Sequence, residues 1–327
     1  MTARSDEARD PAGPAVRPVT IPARSQDLYF LPFDHRRPFI TEVFGFRDPL
    51  ASAQVAEVQA VKRVIYGGFR AALDAGVPAQ GAGVLVDEEF GAAILGDAAG
   101  RGYLTALPVE VSAQREFQFQ YGEEFAAHIE KFRPTYVKAL VRYNPEGDRE
   151  LNLRQSERLR RLSDHCRRSG RKFMFELLVP PEPQQLERAG GERGEYERSA
   201  LAELMVRAVE ELQDAGVEPE VWKLEGLERV ADCERVARAI RRGGRDHAGA
   251  IVLGRGEDAR RVEAWLTAAA AVPAYLGLAV GRSTFLEPIL DLRRGALSRE
   301  AAVARIAERY RGWVEVFRGA RRRLPPV

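Results

Sequence analysis

Eight short apolar runs punctuate the chain, and nearly every one ends in a charged or glycine-rich cluster. They are Leu28–His35, Gly83–Glu88, Thr105–Val111, Tyr136–Tyr143, Lys172–Val179, Glu220–Glu225, Ala248–Gly254 and Ala274–Gly281. Runs this short and this continuously apolar are what parallel strands buried on both faces look like. The chain between consecutive runs is long enough for a crossover and often carries helical periodicity. Ser52–Ala75 places Val55, Val58, Val61 and Ile65 at helical spacing, and Gly122–Phe132 is short and amphipathic. Leu151–Ser169 sets Leu153, Leu159, Leu162 and Cys166 in one buried stripe, and Leu201–Ala215 repeats the pattern with Leu204, Val206, Val209 and Leu212. Gly170 and Gly216 stop these two helices. A last helix is expected from Ser298, its N-cap, with Val303, Ile306, Tyr310, Trp313 and Phe317 turned to the sheet. Eight strands alternating with helices predict an α/β fold, a single (β/α)8 barrel, over residues 27–318. A disordered lead-in is expected over 1–26 and a solvated basic tail over 319–327.

Composition changes this picture little. Lys+Arg 50 against Asp+Glu 48 leaves a net charge of +2, without the clustered basic excess of a nucleic-acid surface. No run approaches the ~20 apolar residues that span a bilayer, and the N-terminus lacks the apolar core of a signal peptide. The two cysteines, Cys166 and Cys233, have no Cys or His partner at zinc-binding spacing, which fits a reduced, cytoplasmic protein. A homo-oligomer is left open.

In such barrels the chemistry sits at the C-terminal ends of the strands. The chain places Asp34, Asp87, Glu110, Lys138, Arg142, Glu176, Lys223 and Arg282 at or near those ends. Lys223 lies between Trp222 and Leu224, so alternation sends it to the barrel interior. Burial there disfavours the ammonium, and a neutral amine attacks carbonyls to form a Schiff base. The plain alternative is a lysine paired with a carboxylate. Lys138 has the same setting on the fourth strand; a second cation would lower the pKa of the first, or hold a substrate oxygen. Arg142, in phase with it, would clamp a carboxylate or phosphate, or lie on the surface. Glu176 is a lone acid in an apolar strand, where desolvation is expected to raise its pKa toward the range of general acid–base work; the plain alternative, compatible with it, is a structural partner of Lys138 or Lys223. Asp34 and Asp87 would orient a lysine, bind substrate hydroxyls or cap helices.

Gly254-Arg255-Gly256 follows the seventh strand and Gly281-Arg282-Ser283-Thr284 the eighth. Barrels commonly hold a phosphate with these two loops, and Arg255 or Arg282 would add a charged contact. The four histidines are dispersed, with only His35 at a strand end, so a catalytic metal is not expected; neither is any cofactor. Pro180–Ser199, long and rich in Gly and Pro, follows the fifth strand as a lid or as a surface insertion.

The stretches FDHR (Phe33–Arg36), VDEEFGAAIL (Val86–Leu95), VRYNPEGD (Val141–Asp148), FMFELLVP (Phe173–Pro180), VWKLEGL (Val221–Leu227), IVLGRGED (Ile251–Asp258) and VGRSTFLEP (Val280–Pro288) resemble one family. It is the 2-deoxy-5-keto-gluconate 6-phosphate aldolase domain of inositol catabolism, often fused behind 5-dehydro-2-deoxygluconokinase. The likeness runs from about Leu28 to Phe317. More distantly the chain is similar to class I tagatose-bisphosphate and sulfofructose-phosphate aldolases. That resemblance implies Lys223 as the Schiff-base lysine, Glu176 as acid–base and Lys138 as the assisting lysine. Asp34-His35-Arg36 is similar to the Asp-x-Arg of those relatives, with His35 in place of glutamine; Arg37 and Pro38 depart from the nearer family.

The function this resemblance implies is a Schiff-base aldolase of myo-inositol catabolism that cleaves 2-deoxy-5-keto-gluconate 6-phosphate to dihydroxyacetone phosphate and malonate semialdehyde. Lys223, Glu176, Lys138 and Asp34 would do the chemistry, and Asp87, Arg36, Arg142, Gly254, Arg255, Gly281 and Arg282 would bind substrate. The rivals are an aldolase for a tagatose or fructose bisphosphate or a sulfosugar phosphate, and a non-catalytic sugar-phosphate-binding barrel that partners a kinase.

Overall fold

The computed structural model describes residues 26–323. Apart from Gln26, the expected lead-in lies outside the described residues. Eight parallel strands close into a barrel in chain order: β1 (Leu28–Pro32), β2 (Ala82–Leu85), β3 (Leu104–Pro108), β4 (Tyr136–Arg142), β5 (Lys172–Leu178), β6 (Val221–Glu225), β7 (Gly249–Leu253) and β8 (Tyr275–Ala279). The helices are α1 (Arg37–Phe44), α2 (Ser52–Asp74), α3 (Glu88–Gly100), α4 (Phe125–Phe132), α5 (Arg149–Ser169), α6 (Pro183–Arg188), α7 (Arg193–Ser199), α8 (Leu201–Asp214), α9 (Val230–Ile240), α10 (Ala259–Ala270), α11 (Arg282–Arg293) and α12 (Arg299–Arg322). Each of the eight apolar runs holds one strand. β1 and β2 stop short of Asp34 and Asp87, which already turn into the loops of the barrel mouth, whereas β4 runs through Arg142 and β6 through Glu225.

Period-two alternation divides the strands between two cores. Outward residues such as Trp222, Leu224, Phe173 and Phe175 pack against the helices. Inward residues Phe30, Tyr136, Met174, Val221 and Ile251 fill the barrel as an apolar floor. Phe30 meets Tyr136 edge-on, with ring centroids 5.6 Å apart. Gly277, at φ 154°, lies so close to Leu28 that a side chain would run into the Leu28 carbonyl. A glycine there lets β8 close onto β1.

Several expectations need correction. Leu153 is 56% exposed: α5 buries Leu159, Leu162 and Cys166 but turns Leu153 to solvent. The basic C-terminal stretch is not a loose tail from residue 319, because α12 continues to Arg322. Arg321 bonds Asp27 Oδ1 at 2.8 Å and the carbonyls of Ala270 and Tyr275, tying the helix to the bottom of the barrel. Ser298 does cap α12, accepting from the Ala301 amide at 3.2 Å.

The connection after β5 is folded as α6 and α7 rather than floppy. Tyr196 is buried and donates to the Val179 carbonyl at 2.9 Å, while Gln185 pairs with Asn144. Among the described residues, no helix is long and apolar enough to cross a membrane.

Candidate active site

Directly above the apolar floor, the strands change character. Two residues beyond Tyr136, Met174 and Val221 come Lys138, Glu176 and Lys223, on the same inward face. The β5–β6 register sets Glu176 opposite Lys223. Asp34, just past β1, and Glu110, just past β3, complete a charged layer in which every member is at most 7% exposed.

Lys138 is the hub. Its Nζ donates to Asp34 Oδ2 at 2.9 Å and to Glu110 Oε1 at 2.7 Å, and lies 2.8 Å from Glu176 Oε2. Asp34 and Glu110 accept hydrogen bonds from the ammonium, and Glu176 adds a third carboxylate as an ion pair, its Oε2 accepting no hydrogen bond. Burial works against its charge, but Asp34, Glu110 and Glu176 together hold Lys138 above the ordinary lysine range. Lys223 Nζ lies 2.5 Å from Glu176 Oε1, its one ion-pair partner among the described residues. Two lysines that read alike in sequence thus differ in what surrounds them.

Glu176 corrects an expectation. Desolvation does oppose its charge, but Lys138 and then Lys223 outweigh it and hold the carboxyl below its usual range. Asp34 behaves likewise: burial is overcome by Lys138, and by His35 and Lys223 after it. Asp34 and Glu176 are clamped in their ionised form by the cations beside them.

Asp87 stands apart from this layer. Its Oδ1 accepts from the Phe90 amide at 2.8 Å, capping α3, and its Oδ2 accepts from Lys62. Lys62 is fully buried and also donates to the carbonyls of Phe33 at 2.9 Å and His35 at 3.2 Å. The structure therefore gives Asp87 a cap and a buried ion pair, and its lysine bonds to the backbone that carries Asp34 and His35. Arg36 donates to the Glu110 carbonyl at 2.7 Å and to Gln120 Oε1 at 3.0 Å. It also lines a cavity of about 370 Å³ with Arg37, Glu89, Ser112, Gln120 and Tyr121.

Arg142 is not brought to Lys138. It sits four residues further along the strand, roughly 13 Å up at the strand rise, and donates to the Gln114 carbonyl at 2.9 Å. Arg255 is engaged elsewhere than expected: its Nη1 lies 2.6 Å from Glu197 Oε1 on α7 and 3.0 Å from Glu225 Oε1 on β6. Gly254, Gly281 and Arg282 do come together. Arg282 donates to the Arg255 carbonyl, and its guanidinium lies over Gly256. Gly281 precedes α11, where a side chain would strike the Pro32 carbonyl.

His35 follows Asp34 in the same loop, its ring edge-on to Phe285 with centroids 6.2 Å apart. Burial first, then Lys223 and Arg282, push its pKa down to about 4, against the pull of Asp34 and Glu176. Its Nδ1 is buried and has no hydrogen-bond partner.

Four functional positions were not assigned from sequence as site residues: Glu110, His35, Lys62 and Glu225. Lys62 had a signal, since it falls on the face of Val58 and Ile65, where a lysine does not belong without a buried partner. Glu225 is in phase with Lys223, so alternation alone would have turned it inward.

A family model described as "Uncharacterized protein conserved in bacteria (DUF2090)" matches residues 12–321. Among curated proteins none matches the sequence. The solved structure of Cgl0159 from Corynebacterium glutamicum is similar at TM-score 0.54 and 15% identity, covering 88% of this chain and 85% of that one. The fructose-bisphosphate aldolase from Slackia heliotrinireducens is similar at TM-score 0.52 and 9% identity, covering 86% of each chain. At these identities the likeness is one of fold.

Proposed function

We propose that this chain, which belongs to the DUF2090 family, is a class I aldolase. Its substrate would be 2-deoxy-5-keto-gluconate 6-phosphate, cleaved to dihydroxyacetone phosphate and malonate semialdehyde. The reaction class is supported by one observation above all: Glu176 bridges two buried lysines, one paired with three carboxylates and the other with Glu176 alone. Lys138, ringed by carboxylates, supplies fixed positive charge. Lys223, with a single ion-pair partner, would be the lysine that attacks.

Lys223 would add to the C5 ketone and expel water, leaving an iminium that draws electrons from the C3–C4 bond. Glu176, ionised and adjacent, would take the C3 hydroxyl proton as that bond breaks. Malonate semialdehyde leaves, the enamine is protonated at C4, and water releases dihydroxyacetone phosphate. The iminium is itself the electron sink, so the chemistry asks nothing of a metal. Arg282 and the amides near Gly254 and Gly281 would receive the phosphate. The substrate itself is read from the resemblance of FDHR, VWKLEGL and VGRSTFLEP to the inositol-catabolic aldolases.

Borohydride reduction in the presence of dihydroxyacetone phosphate tests the reading. Added mass on the peptide containing Lys223 is expected. Labelling of Lys138 instead would exchange their roles, and an unlabelled protein would remove the class I assignment.

A further inference from the structure

We propose that His35 is a further catalytic residue, the acid that protonates the enamine carbon of the aldolase reaction proposed above, on which this inference rests. The imidazole is held in place from several sides. Its residue follows Asp34, whose carboxylate is bonded to Lys138 at 2.9 Å, and its carbonyl accepts from Lys62 at 3.2 Å. Its ring meets Phe285 edge-on at 6.2 Å, in the first turn of α11 beside Arg282. Its Nδ1 is buried without a partner, an expensive arrangement unless a ligand completes it.

In the free protein Asp34 and Glu176 are held ionised by the ammoniums beside them. Glu176 is protonated only once it has taken the C3 hydroxyl proton, which it must pass on. His35 carries the open ring nitrogen. The charged groups acting on it are Asp34 from its own segment, Glu176 from β5, Lys223 from β6 and Arg282 from α11. Burial and the two cations keep the ring neutral in the free protein.

Both cations are cancelled at the stage where a proton is needed. A phosphate on Arg282 neutralises one. Conversion of the Lys223 iminium to an uncharged enamine removes the other. The imidazole then becomes more basic and takes up the proton that Glu176 received from the C3 hydroxyl, relayed by water entering after the aldehyde has left, so that Glu176 is a carboxylate again. In the next step its N–H bond breaks and a C–H bond forms at the enamine carbon, using the enamine π pair. The nitrogen lone pair re-forms the C=N bond of the iminium, and His35 returns to the neutral form. The restored positive charge on Lys223 favours that return, so the proton is driven toward carbon.

The partial reaction that isolates this step is exchange of a hydroxymethyl proton of dihydroxyacetone phosphate for deuterium in D2O, followed by NMR. Adduct formation at Lys223 under borohydride serves as the folding and binding control. His35→Gln should form the adduct as the natural protein does, yet exchange about 10²-fold or more slowly, the scale of a lost general acid. His35→Ala should recover exchange when imidazole is added. Glu176→Gln should lose cleavage but keep exchange. A His35→Gln protein that forms the adduct and exchanges at the natural rate would overturn the role of His35 alone. A natural protein that forms no adduct would instead overturn the aldolase reading beneath it.

Discussion

Glu176 and Lys223 are opposed in the register of β5 and β6, with Glu176 Oε1 2.5 Å from the lysine nitrogen. The proposed base and nucleophile are therefore positioned by backbone hydrogen bonding in the barrel wall, not by a loop. Sites built on strands are held more tightly than sites on loops. A base fixed in this way should govern proton transfer more than capture of the ketone. Glu176→Gln, nearly isosteric, should keep the borohydride adduct on Lys223 and lower cleavage by roughly 10²-fold or more. Near-normal turnover in that variant would move the base to another group.

The two lysines should also separate by stability. Lys138→Met strands Asp34, Glu110 and Glu176 around an apolar side chain. Removing one partner of a buried ion pair costs about 3–5 kcal/mol, and here three carboxylates lose their common partner at once. Lys223→Met leaves Glu176 still 2.8 Å from Lys138, so its loss should be smaller while adduct formation disappears. Urea denaturation of both variants checks this; equal losses would contradict the asymmetry.

Much of this arrangement was legible in the sequence, and for a physical reason. Strand periodicity reports which face a residue takes, so the interior positions of Lys138, Glu176 and Lys223 followed from their apolar neighbours. Periodicity does not report height or partner. Arg142 is in phase with Lys138 but four residues above it. Arg255 stands at the expected loop yet turns to Glu197 and Glu225. The pKa of Glu176 was expected to rise because burial is legible in the strand pattern, whereas pairing with Lys138 and Lys223 at once, which reverses the shift, depends on distances that the pattern does not report. Lys62 on α2 pairs with Asp87 at the N-cap of α3, a contact between residues distant in sequence that no local pattern encodes.

Asp87 provides a test of that distinction. It caps α3 and pairs with the buried Lys62, so Asp87→Asn should cost about 3–5 kcal/mol in denaturation. The folded variant should still form the Lys223 adduct. An unaltered stability with a lost adduct would return Asp87 to the substrate site.

Arg282 bears on the phosphate. A charge-assisted hydrogen bond contributes about 1.5–3 kcal/mol, so Arg282→Gln should raise KM for the phosphorylated substrate by roughly tenfold or more. The kcat should change much less. A fall in kcat with KM unchanged would mean that Arg282 does not hold the phosphate.

The pH dependence of stability has signs fixed by the shifts. Asp34 and Glu176 are held low when folded. Their contribution is present above the ordinary carboxylate values, near ~4, and is lost as pH falls through the folded values. Lys138 is held high, so its contribution is complete below the ordinary lysine value of ~10.4 and is lost as pH rises through the folded one. His35 acts in the window between. Folded, it resists protonation until about pH 4; unfolded, it takes a proton near ~6.5. Between these values the unfolded chain holds more protons, so stability must fall as pH falls. His35→Gln removes this term and leaves the carboxylate terms in place. The difference in unfolding free energy between natural and variant protein should be flat above about pH 7. It should shift against the natural protein from there to pH 4 and level off below. Urea denaturation across this range measures it, and parallel profiles would show that His35 is not held neutral by Lys223 and Arg282.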